Sequence, residues 1–244
     1  MLGSLAASGL LTACGRLDDT APARAVLDAT ERFTMRAQRL LLSQRPLVRE
    51  LPSSAISAMF PTNGTSMPGG DEYQRLMEGD FKDWRLRVEG LVERPLALSL
   101  AELRALPSRT QITMHNCDEG WSAVGQWTGV QLARILDLAG LRLAARYVVF
   151  HCLDTIQLDG TPYYESIDLL DAVHPQTILA YDMNGAPLPV GHGAPLRLRV
   201  ELQIGYKNAK YLDRIEVVDR LTSIGKGRGG WWEDFDRAPW YAGQ

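Results

Sequence analysis

The chain has 244 residues, 45% hydrophobic and 23% charged, the proportions of a soluble polypeptide forming one large domain or two small ones. Those values exclude the disordered, collagen-like and coiled-coil classes. With 26 basic against 29 acidic residues the net charge is −3, which offers no basic field to nucleic acid and names no partner by charge alone. The three cysteines, Cys14, Cys117 and Cys152, form no C-x-x-C pair, which argues against a disulfide framework and a structural zinc site.

The start, from Leu2 to Ala13, is an apolar small-residue run shorter than the ~18 residues a membrane span needs. It reads as the hydrophobic part of an export signal. Leu11-Thr12-Ala13-Cys14 has the form of a lipobox, whose cysteine is acylated after cleavage; an incidental cysteine in a poorly ordered tail is the alternative. The first basic residue, Arg16, follows Cys14, so the true start is expected upstream. Residues 1–20 are read as a signal or lipoprotein segment, implying an exported, periplasmic, lipid-anchored chain. Residues 21–60 are read as a helix and linker, with Val26, Phe33, Leu40 and Leu41 at helical spacing before Pro46. From Pro52 to Gly79 no periodicity is visible, the mark of a long loop or linker. The folded domain is assigned to residues 61–244.

Trp84 to Glu89 alternates at period two and predicts a half-buried strand. Ser99 and Glu102 form a capping box for a short helix ended by Pro107. Gln111 to Met114 predicts a strand leading into a Gly- and Trp-rich turn over 117–127. Thr128 to Gln131 reads as a second capping box, ahead of a helix with the face Leu132, Ile135, Leu136 and Leu138, closed by Gly140. Residues 146–152, 177–183, 196–203 and 215–218 read as strands, with a turn at Asn184-Gly185. The class is α+β with a mixed, mostly β core.

Gly120-Trp121-Ser122-Ala123-Val124-Gly125 is one residue too long for a nucleophile elbow. The glycine-rich stretch 225–230 lacks the Ser/Thr of a P-loop, leaving a solvated loop and a phosphate or acidic-partner contact both open. His115, His151, His174 and His192 have no metal-ligand spacing. Cys117 is placed differently, after a strand and before a turn and a capped helix. A thiolate near helix N-terminal amides can serve as a redox nucleophile or bind a soft transition metal, and an inert buried thiol is the competing reading. A cysteine hydrolase using one of the histidines is a third.

His115-Asn116-Cys117-Asp118-Glu119-Gly120-Trp121-Ser122, followed by Gln126-Trp127-Thr128-Gly129-Val130, closely resembles the cofactor segment of the sulfite oxidase superfamily of molybdopterin enzymes. His192-Gly193-Ala194-Pro195-Leu196-Arg197 and Gly205-Tyr206-Lys207-Asn208-Ala209-Lys210 resemble its second and third segments. The ending, Gly229-Gly230-Trp231-Trp232-Glu233 and Trp240-Tyr241-Ala242-Gly243, is similar to the bacterial exported branch that includes the periplasmic methionine sulfoxide reductases.

The resemblance implies a sulfite oxidase-type fold holding molybdenum through the dithiolene of a molybdopterin (pyranopterin) and the thiolate of Cys117. Arg197, Tyr206 and Lys207 are then expected at the cofactor phosphate, with Gly205 permitting close backbone approach, and His192 and Asn63 as further contacts; taken alone, Arg197 reads as an outward residue of an alternating strand and Asn63 as a plain turn asparagine. Cys152 falls where relatives carry a cofactor-contacting Thr, and Asp118 adds negative charge where a neutral residue is expected. The implied activity is two-electron oxygen-atom transfer on a sulfite-, sulfoxide- or N-oxide-type small molecule. Electrons would be exchanged with a separate partner, a membrane cytochrome b or a c-type cytochrome. A catalytically silent pterin- or anion-binding module is the alternative.

Overall fold

The computed structural model describes residues 47–156 and 160–243, and in the N-terminal stretch Val26, Ala29, Thr30, Phe33 and Arg36. The chain divides into two compact units, Met1–Pro46 and Leu47–Gln244. In the first, the five described residues are helical, and Thr30 Oγ1 donates to the Val26 carbonyl at 2.9 Å. Cys14 and the expected export signal lie outside the described residues.

The second unit is built on two five-stranded sheets. One contains β1 (Arg85–Gly90), β2 (Leu96–Ser99), β5 (Tyr147–Thr155), β6 (Pro162–Asp168) and β10 (Leu212–Val218), in the order β2-β1-β10-β5-β6. Only β1 and β10 run parallel; the other pairs in this sheet are antiparallel. The other sheet contains β3 (Ser108–Asn116), β4 (Ser122–Gln131), β7 (Ile178–Met183), β8 (Ala186–Pro187) and β9 (Arg197–Arg199), in the order β3-β4-β7-β8 with β9 along β7. Five α-helices are described: α1 (Asp71–Glu78), α2 (Leu100–Ala105), α3 (Leu132–Ala139), α4 (Leu169–Ala172) and α5 (Trp231–Phe235). The α+β class with a mostly β core is therefore as the sequence implies.

In β1 the alternation buries Leu86 and Val88 and exposes Arg85 and Arg87. These join Val148, Phe150, Ile215 and Val217 from their sheet, Leu179 and Leu198 from the other, and Leu132, Ile135 and Leu136 of α3 in one core. Each such side chain contributes about 1.5–3 kcal/mol through burial. Ser99 accepts from the Glu102 amide and Glu102 returns the bond, so the first capping box forms. The second does not: Thr128 lies inside β4, its hydroxyl 2.8 Å from that of Thr110, and α3 starts after an uncapped Gln131. Leu138 of the expected helix face is exposed, and Ala139 takes the inward position.

The aperiodic stretch from Pro52 to Gly79 is ordered. The Leu51 and Ser57 amides bond to carbonyls of β3 and β4, and α1 forms after Gly70 with Asp71 and Glu72 favouring its N-terminal dipole. Tyr73 of α1 is buried and donates to the Ala194 carbonyl at 2.8 Å. The expected strand over 196–203 contracts to β9, where Arg197, Leu198 and Arg199 are all buried. Its alternation suggested one wet face, but both faces are covered by protein.

Candidate functional site

Strands β3 and β4 form a hairpin whose five-residue tip, 117–121, carries Cys117 at its first position. The Cys117 amide donates to the Trp121 carbonyl at 2.9 Å and its carbonyl accepts from Gly120 at 3.1 Å, so the thiol sits on a closed turn. Gly120 adopts a φ of 89°, a left-handed conformation suited to glycine. No helix N-terminus is involved; the expected helical setting for this thiol is replaced by a hairpin tip. Asn63 Nδ2 donates to Cys117 Sγ at 3.8 Å, and the thiol lies 3.7 Å from Asp118 Oδ1. Burial, with Asp118 and Glu119 adding to it, pushes the thiol up to about 11, so the uncomplexed sulfur is protonated at neutral pH.

Behind the hairpin lies a cation-rich cluster. Arg197 and Arg199 of β9 both stack over the Trp127 ring, at 4.8 and 4.6 Å from its centroid. Glu201 pairs with Arg199 at 2.7 Å, and Arg199 also reaches His115 Nδ1 at 2.8 Å. Arg197 has no carboxylate among the described residues: it donates to the carbonyls of His192 (3.0 Å) and Asn208 (3.3 Å), and its Nε has no partner. Burial and the neighbouring Arg199 lower Arg197 to about 9, which still leaves it charged at neutral pH. Burial, with Arg199 and Arg197, lowers His115 to about 2, and burial, with Arg197 and Lys210, lowers His192 to about 4, so both imidazoles are neutral.

Lys210 completes the positive field. Its ammonium donates to the backbone carbonyls of Asn63 (2.7 Å), Thr65 and Gly191 (3.1 Å), tying the 63–65 loop to the His192 segment. Burial, then Arg197, lower it to about 7.

A cleft holding about 540 Å³ of space, its open mouth included, is lined by Asn63, Asp118, Glu119, Asp154, Tyr206 and Lys210 among others. Gly205 also lines it, and a Cβ there would stand 3.1 Å from Cys117 Cα, so glycine permits the turn 205–207 to press against the hairpin tip. Cys117, Asn63, His192, Arg197, Gly205 and Tyr206 are thus brought to one region. The Tyr206 hydroxyl is engaged elsewhere, donating to the Pro239 carbonyl at 2.6 Å.

Two expected contacts are placed differently. Lys207 is fully buried in ion pairs with Glu165 (2.5 Å) and Glu233 (2.7 Å), so its ammonium is consumed within the protein instead of facing a phosphate. Lys210, three residues on, is the lysine at the cleft, and nothing in the linear motif distinguishes it from Lys207. Cys152 packs in the core, on the same face of β5 as the cleft-lining Asp154 but one step further in.

Phe60 was missed entirely. Its ring packs 5.4–5.8 Å from those of His115, Trp121, Trp127 and His192, joining the hairpin to the His192 segment. A lone aromatic in an aperiodic stretch carries no spacing signal, so nothing in the sequence marked it. The glycine-rich stretch 225–230 also resolves: the amides of Lys226 and Arg228 donate to the Asp234 carboxylate at 2.7 and 3.0 Å, and the loop grips an anion of its own chain.

An anionic, thiophilic group suits this donor set. A soft sulfur ligand stands at a rigid turn, and beside it a buried guanidinium lacks a carboxylate and keeps an unpaired Nε. The model of the oxidoreductase molybdopterin-binding domain matches residues 74–223. Over 231 residues the chain is 40% identical to YedZ1 of Azospira oryzae, named as a protein-methionine-sulfoxide reductase subunit, covering 95% of this chain and 81% of that one. It is 39% identical over 147 residues to the protein-methionine-sulfoxide reductase catalytic subunit MsrP of Xanthomonas axonopodis pv. citri, 57% of this chain and 46% of that one. Among solved structures, the sulfane dehydrogenase SoxCD of Paracoccus pantotrophus superposes with a TM-score of 0.52 at 23% identity, over 62% of this chain and 45% of that one, a likeness of fold.

Proposed function

Because the chain belongs to the family of oxidoreductases with a molybdopterin-binding domain, we propose that it reduces sulfoxide- or N-oxide-type small molecules at a molybdenum held by Cys117. The observation that carries this reading is the pairing of a hairpin-tip thiol with a buried, carboxylate-free Arg197 beside one cleft. When bound, the cofactor supplies two-electron redox chemistry and exchange of an oxygen atom.

The protein's own residues bind, orient and shield. Cys117 would hold the metal, with the Asn63 amide directed at its sulfur. Arg197 and Lys210, backed by the neutral His192, would balance the anionic phosphate, a geometry that suits a planar guanidinium. Phe60 packs edge-on against Trp121 and Trp127 of the hairpin and against His192, and so holds those two segments together. Each turnover takes two electrons and two protons and releases one water with the thioether or amine. The electrons would come from a separate partner, a membrane cytochrome b or a c-type cytochrome. An exported chain lipid-anchored at Cys14 would stand beside such a partner; moving from the membrane to the soluble fraction on Cys14→Ser substitution is the expected result.

The decisive experiment is metal analysis with sulfoxide turnover by an artificial electron donor. Wild type is expected to carry molybdenum and turn over, and Cys117→Ser to lose both. Full molybdenum retention in Cys117→Ser would sink the ligand assignment, and molybdenum without turnover of any sulfoxide or N-oxide would mark a silent binding module.

A further inference from the structure

The cleft lining carries three carboxyl groups, Asp118, Glu119 and Asp154, against one ammonium, Lys210. Asp118 lies 3.7 Å from the Cys117 sulfur through its Oδ1, and Glu119 is held in place by Trp121 Nε1 at 3.1 Å. Asp154 also lines the cleft, is only 4% exposed, and its Oδ1 has no hydrogen-bond partner among the described residues. The ammonium in the lining, Lys210, donates to three backbone carbonyls, which fix its position at the 63–65 loop and leave its charge in place. The guanidiniums of Arg197 and Arg199 lie deeper, outside the lining, at 1% exposure each.

We propose that Asp118 and Glu119 set the charge selectivity of this site, so that neutral and cationic sulfoxides or N-oxides are accepted while sulfite and other anions are repelled. The inference rests on the reductase reading above and adds the substrate class. Its physical basis is proximity: an anion entering beside the Cys117 sulfur comes within a few ångströms of a fixed carboxylate. At an effective dielectric constant of ~20, like charges ~5 Å apart disfavour association by about two- to three-hundredfold, and in bulk water by only about fourfold; the exposed Asp118 and Glu119 act between those limits. Both carboxylates are positioned by the hairpin tip itself, so the repulsion is built into the turn that carries the thiol.

The test uses the full-length holoenzyme and three sulfoxides that differ in a remote charge: dimethyl sulfoxide, methylsulfinylacetate and an ammonium-bearing methyl sulfoxide. Every member takes two electrons from the same artificial donor and two protons from solvent, and yields one thioether and one water, so charge is the variable. Wild type is expected to favour the neutral and cationic members over the anionic one by about tenfold or more in kcat/KM. Asp118→Asn/Glu119→Gln should erase most of that ratio, and the charge-matched control Glu93→Gln/Asp219→Asn, outside the cleft, should leave it. Turnover of the anionic member should rise with salt in wild type, as the Debye length falls to about 3 Å near 1 M, and stay flat in the double variant.

A parallel calorimetric titration of sulfite into the purified proteins reads anion binding without turnover, with tighter binding expected in the double variant. A wild-type charge ratio near one, or a ratio and sulfite affinity unchanged by Asp118→Asn/Glu119→Gln, overturns the proposal. Absence of turnover on all three sulfoxides would instead count against the reductase reading, and the sulfite titration would then decide the charge inference alone.

Discussion

Around Trp127, two guanidiniums, Arg197 and Arg199, stand beside one carboxylate, Glu201, which pairs with Arg199 alone; around Lys207, two carboxylates, Glu165 and Glu233, share one ammonium. The residue types are nearly the same and the burial is equally complete. The first cluster is left with one positive charge that the chain does not neutralise, and Arg197 Nε stays unpaired. The second has a surplus carboxylate, and burial together with Glu233 raises the Glu165 carboxyl, which favours proton uptake there. A buried surplus of negative charge can be cancelled by taking up a proton from water. A buried guanidinium has no comparable exit at neutral pH and needs an anion. One cluster is a structural pin between β6 and α5, and the other is the one proposed above as a receptor.

The comparison can be broken at its strongest point. Lys207→Met strands two buried carboxylates and is expected to cost about 3–5 kcal/mol, read by urea unfolding. Arg199→Met, which leaves Glu201 without its cation, should cost about 3 kcal/mol. Arg197→Met should cost less than either, because no carboxylate loses its partner, yet molybdenum retained per chain should fall by tenfold or more. Equal stability losses for Arg197→Met and Arg199→Met would erase the distinction between pin and receptor.

The pH dependence sharpens it further. His115 and His192 are depressed from 6.5 to about 2 and about 4, so they stay neutral in the folded chain while the unfolded chain takes up protons below pH 6.5. Their stability contribution is therefore full above pH 6.5 and is lost as pH falls. For His115 alone the slope approaches about 1.4 kcal/mol per pH unit between pH 6 and 3, with a shallower addition from the half-buried His192. Urea midpoints across that range should steepen accordingly, and His192→Asn should remove the smaller part. At the small end, Gly205→Ala forces a Cβ to within 3.1 Å of Cys117 Cα and is expected to cost about 1–2 kcal/mol, with weakened metal retention. Ser99→Ala, remote from both clusters, should cost about 1 kcal/mol through its capping box and leave molybdenum content unchanged.

Much of the frame was legible in the residues. The alternation of Leu86 and Val88, the Ser99–Glu102 box and the Asn184-Gly185 turn, with φ of 51° and 79°, depend on neighbours within a few positions and formed as read. Strand β6 was not read at all. Its sequence, Pro162 to Asp168, buries Glu165 and Ser166 beside Tyr163 and Ile167, and a charged residue at an inward position hides the apolar pattern. The same blindness affected β9, whose Arg-Leu-Arg looks half-solvated until Trp127 and Glu201 are seen to cover it.

By itself the sequence determined the α+β class and the family resemblance, because those motifs are contiguous and their chemistry is carried by residue type; Cys117, Asn63, His192 and Arg197 as site residues are what the resemblance implies. Only the tertiary structure decided which lysine faces the cleft. Lys207 and Lys210 are equivalent in a linear motif, one basic residue each in Gly-Tyr-Lys-Asn-Ala-Lys. Their fates diverge because Glu165 and Glu233, distant in the chain, converge on Lys207 and leave Lys210 to the carbonyls at the cleft. Charge compensation inside a protein is a property of packing, and packing brings together residues that no local pattern relates.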